Sequence, residues 1–267
     1  MRRRTDSPAG LHPPSTLKAR YSPGDLTLFN DNELCRFLGP SWRQMDLDDP
    51  LVWDSALDSI AWELLYRVEP HLYERLIEGE RLDPSIIEWM PQAVAAVDVG
   101  AGTGRWTLSL ASRCQSLTAV EPAAPLRAIL RANIDRARLT NVEPVDGFFD
   151  DLPLETASAE LVTSCSAFTT YDSHGGELGL KEMERVCVRG GLIVLISPTE
   201  LDWFSERGFD YVEFDGDMYV DYGSREETRE ICSIFYPWAS TAVGANGRIS
   251  YRDLQIRPPS DLMWRRV

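Results

Sequence analysis

Apolar positions at helical spacing dominate the first third of the chain. Between Val52 and Arg67 they recur every three or four residues, and Pro70 marks the end of this pattern. Shorter stretches with the same spacing lie at Asn30 to Leu38, Tyr73 to Ile77 and Pro84 to Trp89. We therefore predict an N-terminal helical extension over residues 21–91. Residues 1–20, which are rich in proline and polar side chains, are predicted to be a disordered arm.

From residue 92 onwards, short apolar runs alternate with amphipathic helical patterns. This alternation predicts a doubly wound, Rossmann-like α/β domain over residues 92–267, with a seven-stranded sheet flanked by helices. Pro144 cannot donate to a strand ladder, which favours an edge position for its strand. The strands are predicted at Ala93 to Val99, Leu117 to Glu121, Asn141 to Val145, Leu161 to Cys165, Leu192 to Ser197, Tyr211 to Phe214 and Met218 to Tyr222, with a last strand near Leu254 to Ile256 or Leu262 to Trp264.

A turn with three alternating glycines follows the first strand. Gly100, Gly102 and Gly104 stand between that strand and a helix predicted from Arg105 to Ser112. Glycine permits positive φ and a close approach of ligand to backbone, and a helix start supplies unpaired N–H groups. A dinucleotide site would need a third glycine where Arg105 stands, which weakens a nicotinamide-dehydrogenase interpretation. No tyrosine is followed four residues later by lysine, as the short-chain dehydrogenases require.

With the form D-x-G-x-G-x-G, this segment resembles the first motif of the class I S-adenosylmethionine-dependent methyltransferases. The resemblance implies that the loop receives the methionine and ribose parts of S-adenosyl-L-methionine and that the product is S-adenosyl-L-homocysteine. It further implies that the N-terminal extension forms a lid. The residues it assigns to the cofactor are Asp98, Gly100, Ala101, Gly102, Thr103, Gly104, Glu121, Phe148, Phe149, Ser164 and Cys165.

Glu121 is the residue expected to bind the ribose. It ends the second predicted strand about twenty residues beyond the turn, where nucleoside-binding folds place their ribose acid. One carboxylate can accept hydrogen bonds from both ribose hydroxyls, each contributing about 1.5 to 3 kcal/mol. The alternative is that Glu121 only caps the next helix, whose first turn would contain Pro122.

The segment after the third strand agrees with the family motif except at one position. Asp146 to Pro153 resembles the family's G-D-x-x-D-L-P, but Phe148 occupies the position of the acid that commonly receives the adenine amino group. We expect the adenine to meet the aromatic face of Phe148 or Phe149 instead, with Asp150 supplying polarity. Arg189-Gly190-Gly191 also resembles a family segment, although the usual proline is missing.

Candidates for the chemistry lie in the loop after the fourth strand, since ligands of α/β sheets sit outside the carboxyl ends of strands. His174 has a suitable intrinsic pKa for a general base, and Tyr171 or Asp172 could orient the acceptor. His174 could equally be a surface residue, and many members of the family work by proximity without a base. The backbone of Ser164 or Cys165 is expected at the methionine end. The acceptor-binding residues are predicted to be Tyr21, Trp53, Phe168 and Tyr171.

The composition of the chain argues against several classes of binding partner. A net charge of −15 argues against a nucleic-acid partner, because phosphate binding needs a basic face. No apolar run approaches the eighteen or so residues that span a bilayer, so we expect a soluble, cytoplasmic protein without a membrane partner. The three histidines are not spaced as metal ligands, and no metal is expected. The sequence therefore favours methyl transfer to an oxygen or nitrogen of a small-molecule acceptor, and a non-catalytic cofactor-binding scaffold is the alternative; the acceptor and the oligomeric state stay open.

Overall fold

A computed structural model describes residues 12–267, which separate into two compact units. The first, here called the sheet unit, comprises residues 81–217 and 258–267. The second, here called the helical unit, comprises residues 12–80 and 218–257. The sequence had placed everything after residue 92 in one domain, and this division is wrong for residues 218–257, which form part of the helical unit.

Most of the predicted strands are present close to their expected bounds. In chain order they are β1 (Ala93–Val99), β2 (Cys114–Val120), β3 (Val142–Val145), β4 (Ala159–Cys165), β5 (Cys187–Ile196), β6 (Asp210–Glu213), β7 (Tyr219–Asp221), β8 (Arg248–Ser250) and β9 (Asp261–Arg266). The helices are α1 (Ser15–Lys18), α2 (Asp31–Leu38), α3 (Pro50–Val68), α4 (Pro70–Gly79), α5 (Pro84–Trp89), α6 (Thr107–Leu110), α7 (Ala124–Ala137), α8 (Gly176–Val186), α9 (Leu201–Ser205), α10 (Arg225–Phe235) and α11 (Tyr251–Leu254).

The sheet unit contains a seven-stranded sheet in the order β3-β2-β1-β4-β5-β9-β6. β1 pairs in parallel with both β2 and β4, whereas β9 runs antiparallel to its neighbours β5 and β6. The Rossmann-like prediction is therefore confirmed, including the edge position of β3, which carries Pro144. Because parallel strands end on the same side of a sheet, the loops after β1, β2 and β4 emerge together.

Successive side chains of a strand point to opposite faces of the sheet, and apolar side chains form a core on each face. Val97, Val162 and Ile193 pack with Leu180 and Met183 of α8 on one face. The opposite face is also covered; its buried cluster comprises Ile86, Met90, Ala93, Ala96, Trp106, Leu110, Ala111, Leu117, Leu161, Leu192, Val194, Ile196 and Leu262. With both faces packed, functional groups can face a ligand only from the strand ends and the loops that follow them.

The helical unit combines the N-terminal helices with the chain excursion between β6 and β9. Trp62 of α3 stacks on Phe235 of α10 with ring centroids 5.9 Å apart. β7 and β8 form a separate two-stranded sheet, so the strand predicted at Met218 to Tyr222 lies outside the seven-stranded sheet. Three-residue strands carry too little alternation to reveal their partner from the sequence.

The structure describes only part of residues 1–20, which were predicted to be a disordered arm. Residues 1–11 lie outside the described residues. Ser15–Lys18 form α1, in which Leu17 is fully buried and Lys18 forms ion pairs with Asp54 and Asp58. The expectation of disorder is therefore wrong for α1, because tertiary contacts order this short helix. Among residues 12–267, none of the helices combines the length and apolar character needed to cross a lipid bilayer.

Candidate cofactor site

The glycine turn is fixed to the second strand and to the helix behind it. Gly100, Gly102 and Gly104 have φ values of 75°, 57° and 104°, where side chains cause strain. The N–H of Gly100 donates to the carbonyl of Val120 at 2.9 Å. A Cβ built on Gly104 would lie 2.7 Å from Cδ1 of Leu130 in α7. The turn thus needs glycine both for its conformation and for close packing.

The two residues between these glycines are buried within the turn. Ala101 is 7% exposed and Thr103 is 2% exposed. The carbonyl of Thr103 accepts a hydrogen bond from the Asn133 side chain of α7 at 2.9 Å. Their packing holds the loop in one conformation and leaves the backbone as the surface that a ligand could meet.

Glu121 lies directly after β2 and is 5% exposed. Its Oε2 accepts a hydrogen bond from the N–H of Gly102 at 2.9 Å. Its Oε1 accepts one from the N–H of Ala123, the residue that precedes α7, at 2.8 Å. The carboxylate therefore contacts both the glycine turn and the residue before α7, although α7 has no side-chain cap. Each carboxylate oxygen can accept more than one hydrogen bond.

Arg127 of α7 is a site residue that sequence reasoning missed. Its Nη1 donates to the carbonyl of Glu121 at 2.5 Å and to the carboxylate of Asp146 at 3.0 Å. This guanidinium ties the end of β2 to the loop after β3. In the sequence, Arg127 is a charged residue on the same face of α7 as the apolar Leu130 and Ile134. This pattern does not reveal its hydrogen-bond partners.

Asp98 is fully buried at the end of β1. Its carboxylate accepts hydrogen bonds from the hydroxyls of Thr107 at 2.6 Å and Thr163 at 3.4 Å. Burial raises the pKa of Asp98 to about 6, against the lowering effect of these two hydroxyls. The indole N–H of Trp106 in turn donates to Thr163 Oγ1 at 3.1 Å. A network of buried polar groups therefore joins β1, β4 and the segment that follows the turn.

Ser164 and Cys165 end β4 beside this network. The Ser164 hydroxyl is buried and has no hydrogen-bond partner within the described residues. Such a group costs free energy unless a ligand or water satisfies it. Burial raises the pKa of the Cys165 thiol, which lies 3.9 Å from the guanidinium of Arg105. Arg105 also donates to Ser166 at 3.1 Å and so links the glycine turn to the loop after β4.

The two phenylalanines after β3 have different surroundings. Phe148 is half-buried and forms a β-bridge with Asp151 in its own loop. Phe149 is also half-buried, and its ring meets Phe168 edge-on with centroids 5.2 Å apart. Asp150 is half-buried next to them. Phe168, predicted to bind the acceptor, is 5% exposed and belongs to the apolar core under α8.

The candidate catalytic residues lie in the loop after β4. Tyr171 and Asp172 are exposed, and Tyr171 retains 61% of its accessible surface. His174 is half-buried, with Nδ1 2.9 Å from the hydroxyl of Ser173. The catalytic role of all three stays a prediction.

Tyr21 and Trp53, the other predicted acceptor-binding residues, lie in the helical unit. The Tyr21 hydroxyl is buried and donates to Glu69 at 3.3 Å, and burial raises its pKa. The indole N–H of Trp53 donates to the Tyr21 carbonyl at 3.4 Å. Both side chains contribute to the packing of this unit, and their contact with an acceptor stays a prediction. Within residues 12–267, no three His, Cys, Asp or Glu side chains are grouped so that they could hold a metal ion.

The chain was compared with known protein families, curated proteins and solved structures. A family model described as a methyltransferase domain matches residues 96–191, from β1 to β5. An uncharacterized methyltransferase of Mycobacterium tuberculosis strain H37Rv is 30% identical over 143 residues, which are 52% of this chain and 55% of that protein. Residues 96–191 are therefore similar to a methyltransferase domain. An uncharacterized methyltransferase of Mycobacterium bovis matches this chain to the same extent, and the chain spans about half the length of these curated relatives.

A solved structure has a similar fold. It comes from Haloferax volcanii and is described as a complex between the Trm112 methyltransferase activator and a candidate methyltransferase. The match is 15% identical, covers 74% of this chain and 94% of the other, and has a TM-score of 0.50. At this identity the likeness shows the fold alone.

The residues present fit S-adenosylmethionine. A buried carboxylate at the end of β2 suits the two ribose hydroxyls, and the glycine turn beside it exposes backbone to the rest of the nucleoside. The unpartnered Ser164 hydroxyl supplies a buried polar atom at the end of β4, where a bound ligand would compensate for it. These three features lie at the ends of neighbouring strands, as one elongated ligand requires.

Proposed function

We propose that the protein is an S-adenosylmethionine-dependent methyltransferase that methylates an oxygen or nitrogen of a small-molecule acceptor. The observation that carries the proposal is the buried Glu121 carboxylate, held by the N–H of Gly102 beside a glycine turn. This arrangement presents a fixed acceptor for ribose hydroxyls at the carboxyl ends of parallel strands. When bound, the cofactor supplies a methyl group that its sulfonium already activates.

The chain's own residues then have to position the acceptor, exclude water and remove a proton where the nucleophile carries one. Arg127 and Arg105 hold the loops after β3 and β1 in place through Asp146 and Ser166. His174 is the candidate to take the acceptor's proton, and its Nδ1 lies 2.9 Å from the hydroxyl of Ser173. Tyr171 and Asp172 are exposed in the same loop and would orient the acceptor.

A small molecule is the favoured acceptor class. A net charge of −15 opposes binding of a nucleic acid, whose phosphates require a basic surface. The nucleophile is proposed to be an oxygen or nitrogen, because a phenol or amine with a pKa near about 10 would use the base that His174 offers. We also propose that the protein works in the cytoplasm.

Calorimetry with S-adenosylmethionine and S-adenosylhomocysteine tests cofactor binding, and transfer of a radiolabelled methyl group to a panel of phenols and amines tests turnover. We expect both cofactor forms to bind and at least one acceptor class to be labelled. If the protein bound neither S-adenosylmethionine nor S-adenosylhomocysteine, the proposed function would be wrong.

A non-catalytic, cofactor-binding scaffold is the second candidate. It is favoured by Phe148, which stands at the position of the adenine acid, and by the exposure of Tyr171 and Asp172. The same two assays separate the candidates. Cofactor binding without labelling of any acceptor, in the presence of the full-length protein, would support the scaffold.

A further inference from the structure

The ring of Phe149 lies against the glycine turn itself. A Cβ built on Gly100 would lie 3.2 Å from Cζ of Phe149 and 2.6 Å from Cβ of Ala167. Phe149 belongs to the loop after β3, yet its ring reaches the end of β1, which is two strands away in the sheet. The ring of Phe149 therefore lies near the glycine turn, although its loop begins at the edge strand β3.

Small residues and a second ring fix this position. Phe168 meets Phe149 edge-on, with an interplanar angle of 87°. A Cβ on Gly179 of α8 would lie 3.0 Å from Cβ of Phe149, and one on Gly175 would lie 2.7 Å from Cε2 of Phe168. The aromatic pair thus occupies space that these glycines leave open, and the ring of Phe149 has little freedom to turn away.

The backbone on both sides of Phe149 is also anchored. On one side, Asp146 forms its ion pair with Arg127 at 3.0 Å. On the other, the N–H of Leu152 donates to Glu182 and its carbonyl accepts from Arg185, both at 3.0 Å. Glu182 and Arg185 pair with each other, and hydrogen bonding to Arg185 lowers the pKa of Glu182. The loop that carries the ring is consequently held between α7 and α8.

The strand order indicates which part of a nucleoside would meet this ring. Resting on the proposed function, the ribose lies at Glu121, at the end of β2. The adenine and the sulfonium are then on opposite sides of the ribose, one towards β3 and the other towards β1 and β4. Phe149, which the sequence analysis offered as a contact for the adenine, lies on the β1 side, next to Gly100. We propose that its ring faces the sulfonium centre and makes the site prefer the cationic cofactor over the neutral product.

The physical basis is the attraction between a cation and the face of an aromatic ring. S-adenosylmethionine carries a positive sulfur, and S-adenosylhomocysteine, its product after methyl loss, has a neutral one. A cation–π contact changes a dissociation constant by about threefold at an exposed site and about thirtyfold at a desolvated one. Phe149 therefore holds the cofactor before transfer and favours release of the product afterwards.

Calorimetric dissociation constants for S-adenosylmethionine and S-adenosylhomocysteine test this role on the full chain. Phe149→Leu keeps an apolar side chain but removes the ring, and Phe148→Leu is the matched control in the same loop. We expect Phe149→Leu to weaken binding of the cofactor at least threefold more than binding of the product. Phe148→Leu should change the two constants by the same factor. If Phe149→Leu does not fold, trifluorophenylalanine at position 149 preserves the shape and weakens the electrostatic face, with the same selective loss expected.

The outcomes separate this inference from the proposed function. A wild-type protein that binds neither ligand would overturn the proposed function and this inference together. A wild-type protein that binds both, with Phe149→Leu changing both constants equally, would overturn the inference alone. Tighter binding of both ligands to Phe149→Leu would also overturn it, because the ring would then be an obstacle over Gly100.

Discussion

The carboxylate of Glu121 accepts a hydrogen bond from the backbone N–H of Gly102 at 2.9 Å. This contact joins the end of β2 to the middle of the glycine turn after β1. A second hydrogen bond, from Ala123, fixes the other oxygen of the same carboxylate. Glu121 therefore has two tasks, since it shapes the loop and keeps an acceptor group at the place where the ribose is proposed to lie.

Replacement of Glu121 by alanine should weaken binding of S-adenosylmethionine at least tenfold. The ribose hydroxyls lose their charged acceptor, and hydrogen bonds to charged groups are worth about 1.5 to 3 kcal/mol each. Calorimetry measures the dissociation constant. Glu143→Ala, which removes an exposed carboxylate from β3, is the matched control and should leave it unchanged. An unaltered constant for Glu121→Ala would remove this residue from the site.

Ser164→Ala should leave the stability of the free protein unchanged or slightly higher, because the variant removes a buried hydroxyl that has no partner among the described residues. It should weaken cofactor binding if the ligand satisfies that hydroxyl. The neighbouring Thr163→Val is the control, since it removes hydrogen bonds to Asp98 and Trp106 and should cost about 1 to 3 kcal/mol. Urea unfolding and calorimetry measure the two effects. Strong destabilisation by Ser164→Ala would show that the hydroxyl is already paired.

Asp98 should make the stability of the protein depend on pH in a specific direction. Burial raises its pKa from 3.8 to about 6, so the folded state binds this proton more tightly than the unfolded chain does. Its contribution to the free energy of unfolding therefore falls as pH rises through this interval, by about 3 kcal/mol at most.

The Asp98→Asn variant tests this dependence. We expect it to be more stable than the wild type at neutral pH, and the difference should shrink as the pH falls below about 4. Asp210→Asn, at an exposed position of β6, is the control. Urea unfolding at a series of pH values measures the difference. A gain in stability that does not vary with pH would point to a cause other than ionisation.

His174→Ala should lower the rate of methyl transfer while the dissociation constant of the cofactor stays the same. The reason is that the imidazole is proposed to take a proton from the acceptor and has no assigned contact with the cofactor. Steady-state rates across neutral pH, once an acceptor is known, provide the measurement. His71→Ala, at an exposed position of α4, is the matched control. Undiminished turnover throughout that pH range would exclude His174 as the base.

Most strands of the sheet could be predicted from residues that are close together in the sequence. Pro144 indicated an edge strand because proline lacks the N–H that a central strand must donate, and β3 is at the edge. The glycine turn and Glu121 were recognisable because their spacing follows directly from a strand, a turn, a helix and the next strand. These features depend on residues that are close in sequence.

What the sequence did not reveal depends on distant residues. α1 is only four residues long and is ordered by Leu17 and Lys18 through contacts with other elements. β7 was predicted as a strand, but it pairs with β8 from nearly thirty residues away, and neither strand has a pattern that indicates its partner. The partners of Arg127 and the path of the Phe149 ring likewise follow from tertiary packing and not from spacing.

The excursion between β6 and β9 has a topological consequence. These strands are antiparallel neighbours, with Glu213 paired to Asp261, and the N–H of Phe214 donates to the carbonyl of Ser260 at 2.8 Å. The chain on both sides of the excursion is therefore already brought together, as at the mouth of a hairpin. Residues 218–257 are in effect an insertion into that hairpin, so evolution can lengthen, shorten or exchange this segment without shifting the register of the sheet that carries the nucleoside site.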